Sequence, residues 1–339
     1  MEAALLRVCG PLKRARLQPS WGLCAAAGGK VFRGPTLTLA RRLNVQQAVD
    51  HWGQTFERSG IPEPILSSQY IIAHVLGAKT MESLGSRRLR EMLTESQVRR
   101  IWELCDKRLS RMPVQYVIEE WDFRDITLRM RPPVFIPRPE TEELVGLVLS
   151  AQLPAQGAGV TVLEVGCGSG AISLSLLQAL PQLQVIAVDR SRDAVGLTRE
   201  NAHRLGLQDR LEILHMDVFL DAEGLLRGWS PVDFLVSNPP YLFSEDLADL
   251  EPEVLEFEDT AALDGGADGL QVIQSILTLA PRLLKDGGEV YLEVEPRHPP
   301  MIQRYVEEDA AAGLRYLQTH SDVAVRQRFC VLRKGGAEQ

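Results

Sequence analysis

The sequence predicts an α/β protein: a Rossmann-like, doubly wound parallel sheet preceded by a small helical domain. Three observations lead to this prediction. Apolar residues recur at spacings of three and four from about residue 44, β-branched and aromatic residues take over near residue 114, and strand-like and helix-like segments alternate after residue 160. We therefore divide the chain into residues 1–42, 43–113, 114–137 and 138–339.

Residues 1–42 differ in composition from the rest. They contain eight basic residues and a single acid, Glu2, with small residues between them. Positive charge with almost no acid is typical of a mitochondrial transit peptide, so we expect a mitochondrial matrix protein. A basic tail without a targeting role is the alternative. No stretch of the sequence approaches the 18 or more apolar residues of a membrane span, so no membrane association is expected.

The charge of the remaining chain indicates the kind of partner. The whole protein has 37 basic and 45 acidic residues, a net charge of −8, and residues 43–339 alone carry −15. Such an acidic body is unsuited to binding a phosphate backbone, so we expect no direct nucleic-acid binding and favour a basic protein partner. A monomer is expected. The five cysteines form no CxxC pair, and no metal is predicted.

The segments before residue 160 predict short helices and a connecting hairpin. "TESQ" is a capping box in which Thr94 is followed by Gln97. Residues 114–137 are rich in β-branched and aromatic side chains, which favours a β-hairpin linker. Pro139 suits the first turn of the next helix, and the glutamates that follow complement its positive end.

After residue 160 the predicted strands are "VTVLEV", "LQVIAVD", "LEILHMD", "FLVSN" and "GGEVYLEVE", with helices between them and an antiparallel "RQRFCVLRK" at the end. In a doubly wound sheet, ligands bind at the carboxyl ends of the strands. The residues that follow these strands are therefore the candidate site residues.

The first candidate site is the glycine turn "GCGSG", residues 166–170. Asp189 ends the next strand, where an acid can accept hydrogen bonds from both hydroxyls of a ribose, and Asp217 ends the third, within reach of an adenine amine. Glu164 stands just before the turn, where a carboxylate would repel a pyrophosphate but favour a cation. This pattern predicts S-adenosylmethionine rather than NAD. Strand-end caps without a nucleotide are the alternative. The predicted cofactor-binding residues are Glu164, Gly166, Cys167, Gly168, Ser169, Gly170, Asp189, Asp217, Val218 and Asn238.

The second candidate site is "NPPY", residues 238–241, at the end of the fourth strand. The Asn238 side-chain carbonyl and the Pro239 backbone carbonyl are two fixed acceptors for a planar NH2 group, and Tyr241 can stack on that group. We predict Asn238, Pro239 and Tyr241 as catalytic residues, and these three with Pro240 as substrate-binding residues. The motif alone does not choose between an adenine and a glutamine amide.

Several motifs together resemble one family. "FIPRPETEELV", "LEVGCGSGAISLSL", "VSNPPY" and "EPEVLEFEDTAALDGGADGL" occur in the order seen in the HemK-type peptide-chain release factor glutamine methyltransferases. The resemblance extends over about residues 44–334, and the basic start resembles the mitochondrial member. Relatives usually have a glycine before the hairpin, where this chain has Ile118, Glu119 and Glu120.

The resemblance implies a class I S-adenosylmethionine-dependent methyltransferase domain and a helical substrate-recognition domain in residues 43–113. The implied reaction is N5-methylation of the glutamine in the Gly-Gly-Gln motif of mitochondrial release factors, which supports translation termination. An adenine-N6 methyltransferase acting on DNA or RNA shares the same cofactor argument and is the main alternative. A non-catalytic binding module with this fold is the second alternative.

Overall fold

The computed structural model describes residues 43–151, 159–308 and 313–335. The predicted transit peptide, residues 1–42, lies outside the described residues. All the described residues belong to one compact unit. No helix among them is long and apolar enough to cross a membrane.

The described chain begins with five helices: α1 (Val45–Arg58), α2 (Pro64–Val75), α3 (Gly85–Arg88), α4 (Glu95–Leu109) and α5 (Val114–Ile118). The predicted capping box before α4 is confirmed: the Gln97 N–H donates to the Thr94 hydroxyl, and the Gln97 side chain accepts from the Thr94 N–H. Asn44 and Gln47 form the same arrangement before α1. Apolar residues at helical spacing, including Phe56, Ile71 and Leu104, form the buried interior of this bundle.

The linker differs from the prediction in its first part. Residues 114–118 form α5 rather than a strand, and the hairpin consists only of β1 (Glu120–Phe123) and β2 (Ile126–Arg129). Pro113 stands at the helix N-cap. All four β-branched or aromatic residues that favoured a strand here are buried side chains of this single helical turn: Val114, Tyr116, Val117 and Ile118. Glu119 has a φ of 61°, the left-handed conformation that a glycine favours. A residue with a side chain therefore makes the turn at which the resemblance predicts a glycine.

The third region is a three-layer α/β domain with a seven-stranded sheet. Its helices are α6 (Pro139–Ser150), α7 (Ala171–Ala179), α8 (Arg192–Leu205), α9 (Ala222–Trp229), α10 (Pro252–Phe257), α11 (Gln271–Leu283) and α12 (His298–Glu308). Its strands are β3 (Val160–Val165), β4 (Leu183–Asp189), β5 (Leu211–His215), β6 (Val232–Ser237), β7 (Leu284–Glu293), β8 (Leu314–Ser321) and β9 (Gln327–Lys334). The doubly wound fold predicted from the sequence is confirmed.

The strand order fixes the position of the site. It is β5-β4-β3-β6-β7-β9-β8, in which β9 is antiparallel to both β7 and β8 while the other pairs are parallel. The chain runs outward from β3 through β4 to β5 and then returns to β6 on the other side of β3. The topological switch point therefore lies between β3 and β6, where the crevice of a doubly wound sheet opens.

Alternate residues of the central strands fill the two layers of the core. Val162 belongs to one buried cluster together with Leu174 of α7, and Leu163 belongs to the other together with Ile276 of α11. This alternation follows from the two-residue period of a strand. Glu164 shares the face of Val162, so its side chain points toward α7.

A buried ion pair joins the helical bundle to the sheet domain. Arg108 of α4 is 4% exposed, and its guanidinium donates to Glu253 Oε1 of α10 at 3.1 Å. It also donates to the Ser67 hydroxyl and to the backbone carbonyls of Pro62 and Met112. Burial is the largest influence on the Arg108 pKa and lowers it, whereas Glu253 raises it. The hydrogen bonds offset the desolvation of a charge that would otherwise be costly to bury.

We expect Arg108→Ala to lower the free energy of unfolding by roughly 3 kcal/mol, because it removes the hydrogen bonds of the buried guanidinium and leaves buried Glu253 with Arg111, 3.0 Å from its Oε2, as the remaining basic partner. Urea unfolding followed by circular dichroism measures the change. The control is Arg100→Ala, which removes a half-exposed Arg100–Glu103 pair on the same helix and should cost under about 1 kcal/mol. Equal losses in the two variants would contradict this account of the junction.

Candidate functional site

A cleft opens at the carboxyl ends of β3, β4, β5 and β6. It contains about 900 Å³ of empty space, part of it open to solvent. Its walls include the glycine turn, the end of β4, the segment after β5 and the segment after β6. The predicted site residues that line it are Gly166, Gly168, Asp189, Asp217, Val218, Asn238, Pro239, Pro240 and Tyr241. Four strand ends thus bring nine of the predicted residues together.

The glycine turn after β3 requires its glycines for two different reasons. Gly166 and Gly168 line the cleft with φ values of 80° and 54°, a region that other residues rarely adopt. Gly170 has a φ of 86° and does not line the cleft; a Cβ atom there would lie 2.8 Å from Leu174. Gly166 and Gly168 therefore let the backbone approach a ligand, whereas Gly170 lets α7 pack closely.

The Asp189 carboxylate is held by the backbone. Its Oδ2 accepts from the Gly168 N–H at 2.9 Å and its Oδ1 from the Ser191 N–H at 2.8 Å. Burial raises the Asp189 pKa, and these two hydrogen bonds oppose that rise. Each carboxylate oxygen has more than one acceptor position, so each can still accept a hydrogen bond from a ligand. A pair of adjacent hydroxyls matches this carboxylate.

The wall after β5 combines one acid with apolar side chains. Asp217 uses Oδ1 to accept from the Phe219 N–H at 2.8 Å, and its own N–H donates to Asp221. Met216, Val218 and Phe219 line the same part of the cleft, and Val272 and Leu263 complete it. An apolar slot with a carboxylate at its edge suits a flat heterocycle that carries an amine.

Two further predicted cofactor residues lie behind the cleft wall, as Gly170 does. Cys167 is buried, with its sulfur accepting from the Thr198 hydroxyl at 3.4 Å. Ser169 is buried, and its carbonyl accepts from the Asn201 amide. These residues shape the turn, and neither of them lines the cleft.

Glu164 differs most from the expectation. It is 1% exposed, and its carboxyl group accepts from the Ser173 N–H at 3.1 Å and from the Ser173 hydroxyl in the first turn of α7. Burial raises the Glu164 pKa to about 8, which keeps the group largely uncharged at neutral pH. The predicted direct attraction of a cationic ligand is therefore not found, because β3 directs this side chain into the layer occupied by α7.

The segment after β6 holds Asn238 in one orientation. Its Nδ2 donates to the hydroxyl of Thr141 at 3.1 Å, and Thr141 is buried in the first turn of α6. No described residue donates a hydrogen bond to Asn238 Oδ1 or to the carbonyl of Pro239. With the amide nitrogen bound to Thr141, the amide oxygen is left for the cleft. Residues 238–241 form a corner after β6, and this corner thus offers two unused acceptors on neighbouring residues.

Tyr241 completes the corner. Its hydroxyl donates to Glu293 Oε1 at 3.3 Å, and the guanidinium carbon of Arg328 lies 5.7 Å from the centre of its ring. Burial is the largest influence on the Tyr241 pKa and raises it, so the phenol stays protonated. The loop that follows is fixed by the Leu242 N–H donating to Leu263 and by the Gly265 N–H donating to Leu242.

Several residues of this site were not predicted from the sequence. Phe135 and Asp259 line the cleft, and the linker that carries Phe135 is held by Glu258, which accepts from the Ile136 N–H at 3.0 Å and from Arg138 at 2.7 Å. Thr141, in the first turn of α6, was not predicted as a site residue. The signal available in the sequence was the density of polar residues in "IPRPETEE" beside a predicted turn.

Comparison with known proteins gives matches across most of the chain. Residues 47–118 match the family model described as the PrmC N-terminal domain, and residues 145–254 match the methyltransferase small domain. The human protein named MTRF1L release factor glutamine methyltransferase is 49% identical over 89% of this chain and 91% of its own length. The release factor glutamine methyltransferases of Synechocystis and Deinococcus radiodurans are 38% and 35% identical, over 65% and 82% of this chain and 73% and 94% of their own lengths.

Proposed function

This chain belongs to the release factor glutamine methyltransferases, and we propose that it methylates N5 of the glutamine in the Gly-Gly-Gln motif of mitochondrial peptide-chain release factors. The observation that carries the proposal is the pair of unused acceptors at Asn238 Oδ1 and the Pro239 carbonyl. They stand in a cleft whose other walls suit an adenosine-like ligand. A side-chain amide has the two N–H donors that such a pair requires.

The residues of the cleft fit S-adenosylmethionine, the methyl donor of this family. Asp189 would hold the ribose hydroxyls, Asp217 the adenine amine, and the turn at Gly166 and Gly168 the part of the donor nearest β3. The apolar side chains beside Asp217 would enclose the heterocycle. When bound, the donor supplies an electrophilic methyl group on a sulfonium.

Asn238 and Pro239 would activate the substrate nitrogen. The lone pair of an amide nitrogen is delocalised into its carbonyl, so the nitrogen is a poor nucleophile. Two acceptors that bind both hydrogens draw electron density toward the nitrogen and fix the plane of the amide relative to the cleft. The rigid prolines lower the cost of holding that geometry.

The remaining parts of the corner orient and enclose the substrate. The Tyr241 ring offers a flat surface to the amide, and its hydroxyl is bound to Glu293 and thus directed away from the reacting atoms. No base is needed to begin the transfer, because the amide proton becomes acidic only after the nitrogen is alkylated. The chain therefore contributes position and hydrogen-bond acceptance rather than proton abstraction.

The acidic surface favours a protein substrate over a nucleic acid. Residues 43–339 carry a net charge of −15, which would repel a phosphate backbone and attract a basic protein. We infer that the helical bundle in residues 43–113 contributes to substrate recognition and that residues 1–42 direct the protein to the mitochondrial matrix. A fluorescent fusion to residues 1–42 that stays outside mitochondria would contradict the localisation.

The test of the proposed function uses the purified full chain, S-adenosylmethionine labelled in its methyl group, and two substrates in parallel. One is a mitochondrial release factor, and the other is mixed-sequence DNA. We expect label on the release factor, and none when its Gly-Gly-Gln glutamine is replaced by alanine. Label on DNA with none on the release factor would refute the proposal and support adenine-N6 methylation.

A further inference from the structure

Glu293 is a buried acid that the proposed reaction does not use. It is the last residue of β7 and is 0% exposed, yet it forms no ion pair within 4 Å among the described residues. It lies directly behind the NPPY corner, in contact with the hydroxyl of Tyr241. An unpaired carboxyl group in such a place is costly to bury, which raises the question of what it does there.

The contacts of Glu293 connect it to the reacting corner on two sides. Oε1 accepts from the Tyr241 hydroxyl at 3.3 Å. The Thr141 hydroxyl is near enough to the carboxyl group to lower the Glu293 pKa, although the two groups are not aligned as a hydrogen bond. Oε2 is buried and has no hydrogen-bond partner among the described residues. Thr141 is in turn the group that accepts from Asn238 Nδ2 at 3.1 Å.

The direction of these contacts follows from the chemistry of each group. An ionised carboxylate only accepts, so Thr141 can interact with it only as a donor, with its single hydroxyl proton turned toward Glu293. The Thr141 oxygen then presents its lone pairs to Asn238, and only the NH2 end of the amide can donate to them. The carbonyl end must face the cleft. A protonated Glu293 can itself donate to Thr141, and this direction is then no longer imposed.

We infer that Glu293 is a positioning residue that, through Thr141, sets the orientation of the Asn238 amide and so keeps the Asn238 oxygen available to the substrate. The inference rests on the proposed function, because it assigns a role within the same corner.

The inference predicts a pH dependence. Burial is the largest influence on the Glu293 pKa and raises it to about 7; Thr141 on α6, Arg328 on β9 and Tyr241 oppose the rise, and Glu140 on α6 adds to it. The positioning form is the ionised one, so kcat should rise with pH through a step near pH 7. Below that step the Asn238 amide loses its imposed direction.

The experiment measures kcat against pH for the wild type, Glu293→Gln, Thr141→Val and Thr141→Ser, using a Gly-Gly-Gln peptide. We expect Glu293→Gln to lower kcat about tenfold above pH 7 and to remove the step, because the group no longer titrates. Thr141→Val should lower kcat at least as much, and Thr141→Ser should restore it to within about threefold, because serine keeps the hydroxyl.

The matched control is Glu289→Gln. Glu289 is also on β7 and also accepts from a tyrosine hydroxyl, that of Tyr291, but Tyr291 does not line the cleft, whereas Tyr241 does. Its replacement should leave kcat and the pH profile unchanged. If Glu293→Gln keeps the wild-type step, or if its only effect is a lower melting temperature, the inference is overturned.

A substrate-free measurement separates this inference from the proposed function. In protein labelled with ¹⁵N-asparagine, the side-chain signal of Asn238, assigned with Asn238→Ala, should shift near pH 7 in the wild type and not in Glu293→Gln. This outcome supports the positioning role even if no release factor or peptide is methylated. An Asn238 signal that behaves the same in both proteins refutes it.

Discussion

Replacing Asn238 by alanine is expected to lower kcat for methyl transfer to a Gly-Gly-Gln substrate by about 10² to 10³-fold, the usual cost of removing one preorganised polar group from a reacting centre. The side chain supplies one of the two acceptors, and the Pro239 carbonyl alone leaves one amide hydrogen unbound. Thr141 holds the Asn238 amide through a 3.1 Å hydrogen bond, so the acceptor is in place before the substrate binds. Single-turnover measurements with labelled donor report the chemical step directly.

The same variant should bind S-adenosylmethionine with an affinity within about tenfold of the wild type, because Asp189, Asp217 and the glycine turn are untouched. The control is Leu220→Ala, which trims a side chain that is 84% exposed and does not line the cleft. It should keep full activity. If Asn238→Ala retains more than about a third of the wild-type kcat, the amide-activation role assigned to this residue is wrong.

The sequence was most informative about those site residues whose positions depend only on where a strand ends. Asp189, Asp217 and Asn238 could be assigned to one cleft because the carboxyl ends of parallel strands meet at one edge of the sheet. The contact between Asn238 and Thr141 could not be predicted, since it joins residues 97 positions apart whose side chains meet only after α6 packs against β7. Periodicity carries no information on such pairs.

The errors in the fold have similarly local causes. Residues 114–118 have strand-forming side chains, but these are buried by a single helical turn that begins at Pro113, and burial outweighs intrinsic preference in so short an element. Helix α12 and strand β8 were not predicted: α12 starts with consecutive prolines that are typical of a loop, and β8 carries several polar residues. Glu164 was predicted on the correct strand, but its side chain was predicted to face the cleft. The sequence does not show which face of β3 is covered by α7, and Glu164 lies on that face.

The buried position of Glu164 gives a second large effect, this time on stability. Replacing Glu164 by glutamine is expected to stabilise the protein increasingly as the pH rises from about 4.5 to about 8. The folded state holds the carboxyl group protonated up to a pKa of about 8, whereas the unfolded chain releases that proton near the ordinary value of 4.5. The unfolded state therefore binds fewer protons in this window, and wild-type stability falls as the pH rises.

Glutamine has the shape of the protonated acid and no proton to release. The stability of Glu164→Gln therefore does not fall through this group as the pH rises. Below about pH 4.5 the two proteins should unfold alike, and above about pH 8 the variant should be more stable by on the order of 4 kcal/mol. Urea unfolding at several pH values measures the difference, with Glu212→Gln, on the exposed side of β5, as the control that should show no such trend. A variant less stable than the wild type at pH 8 would mean that Glu164 is held ionised. In that case the folded protein keeps a buried negative charge beside the glycine turn, and the attraction of a cationic ligand predicted from the sequence would operate through the wall of the cleft.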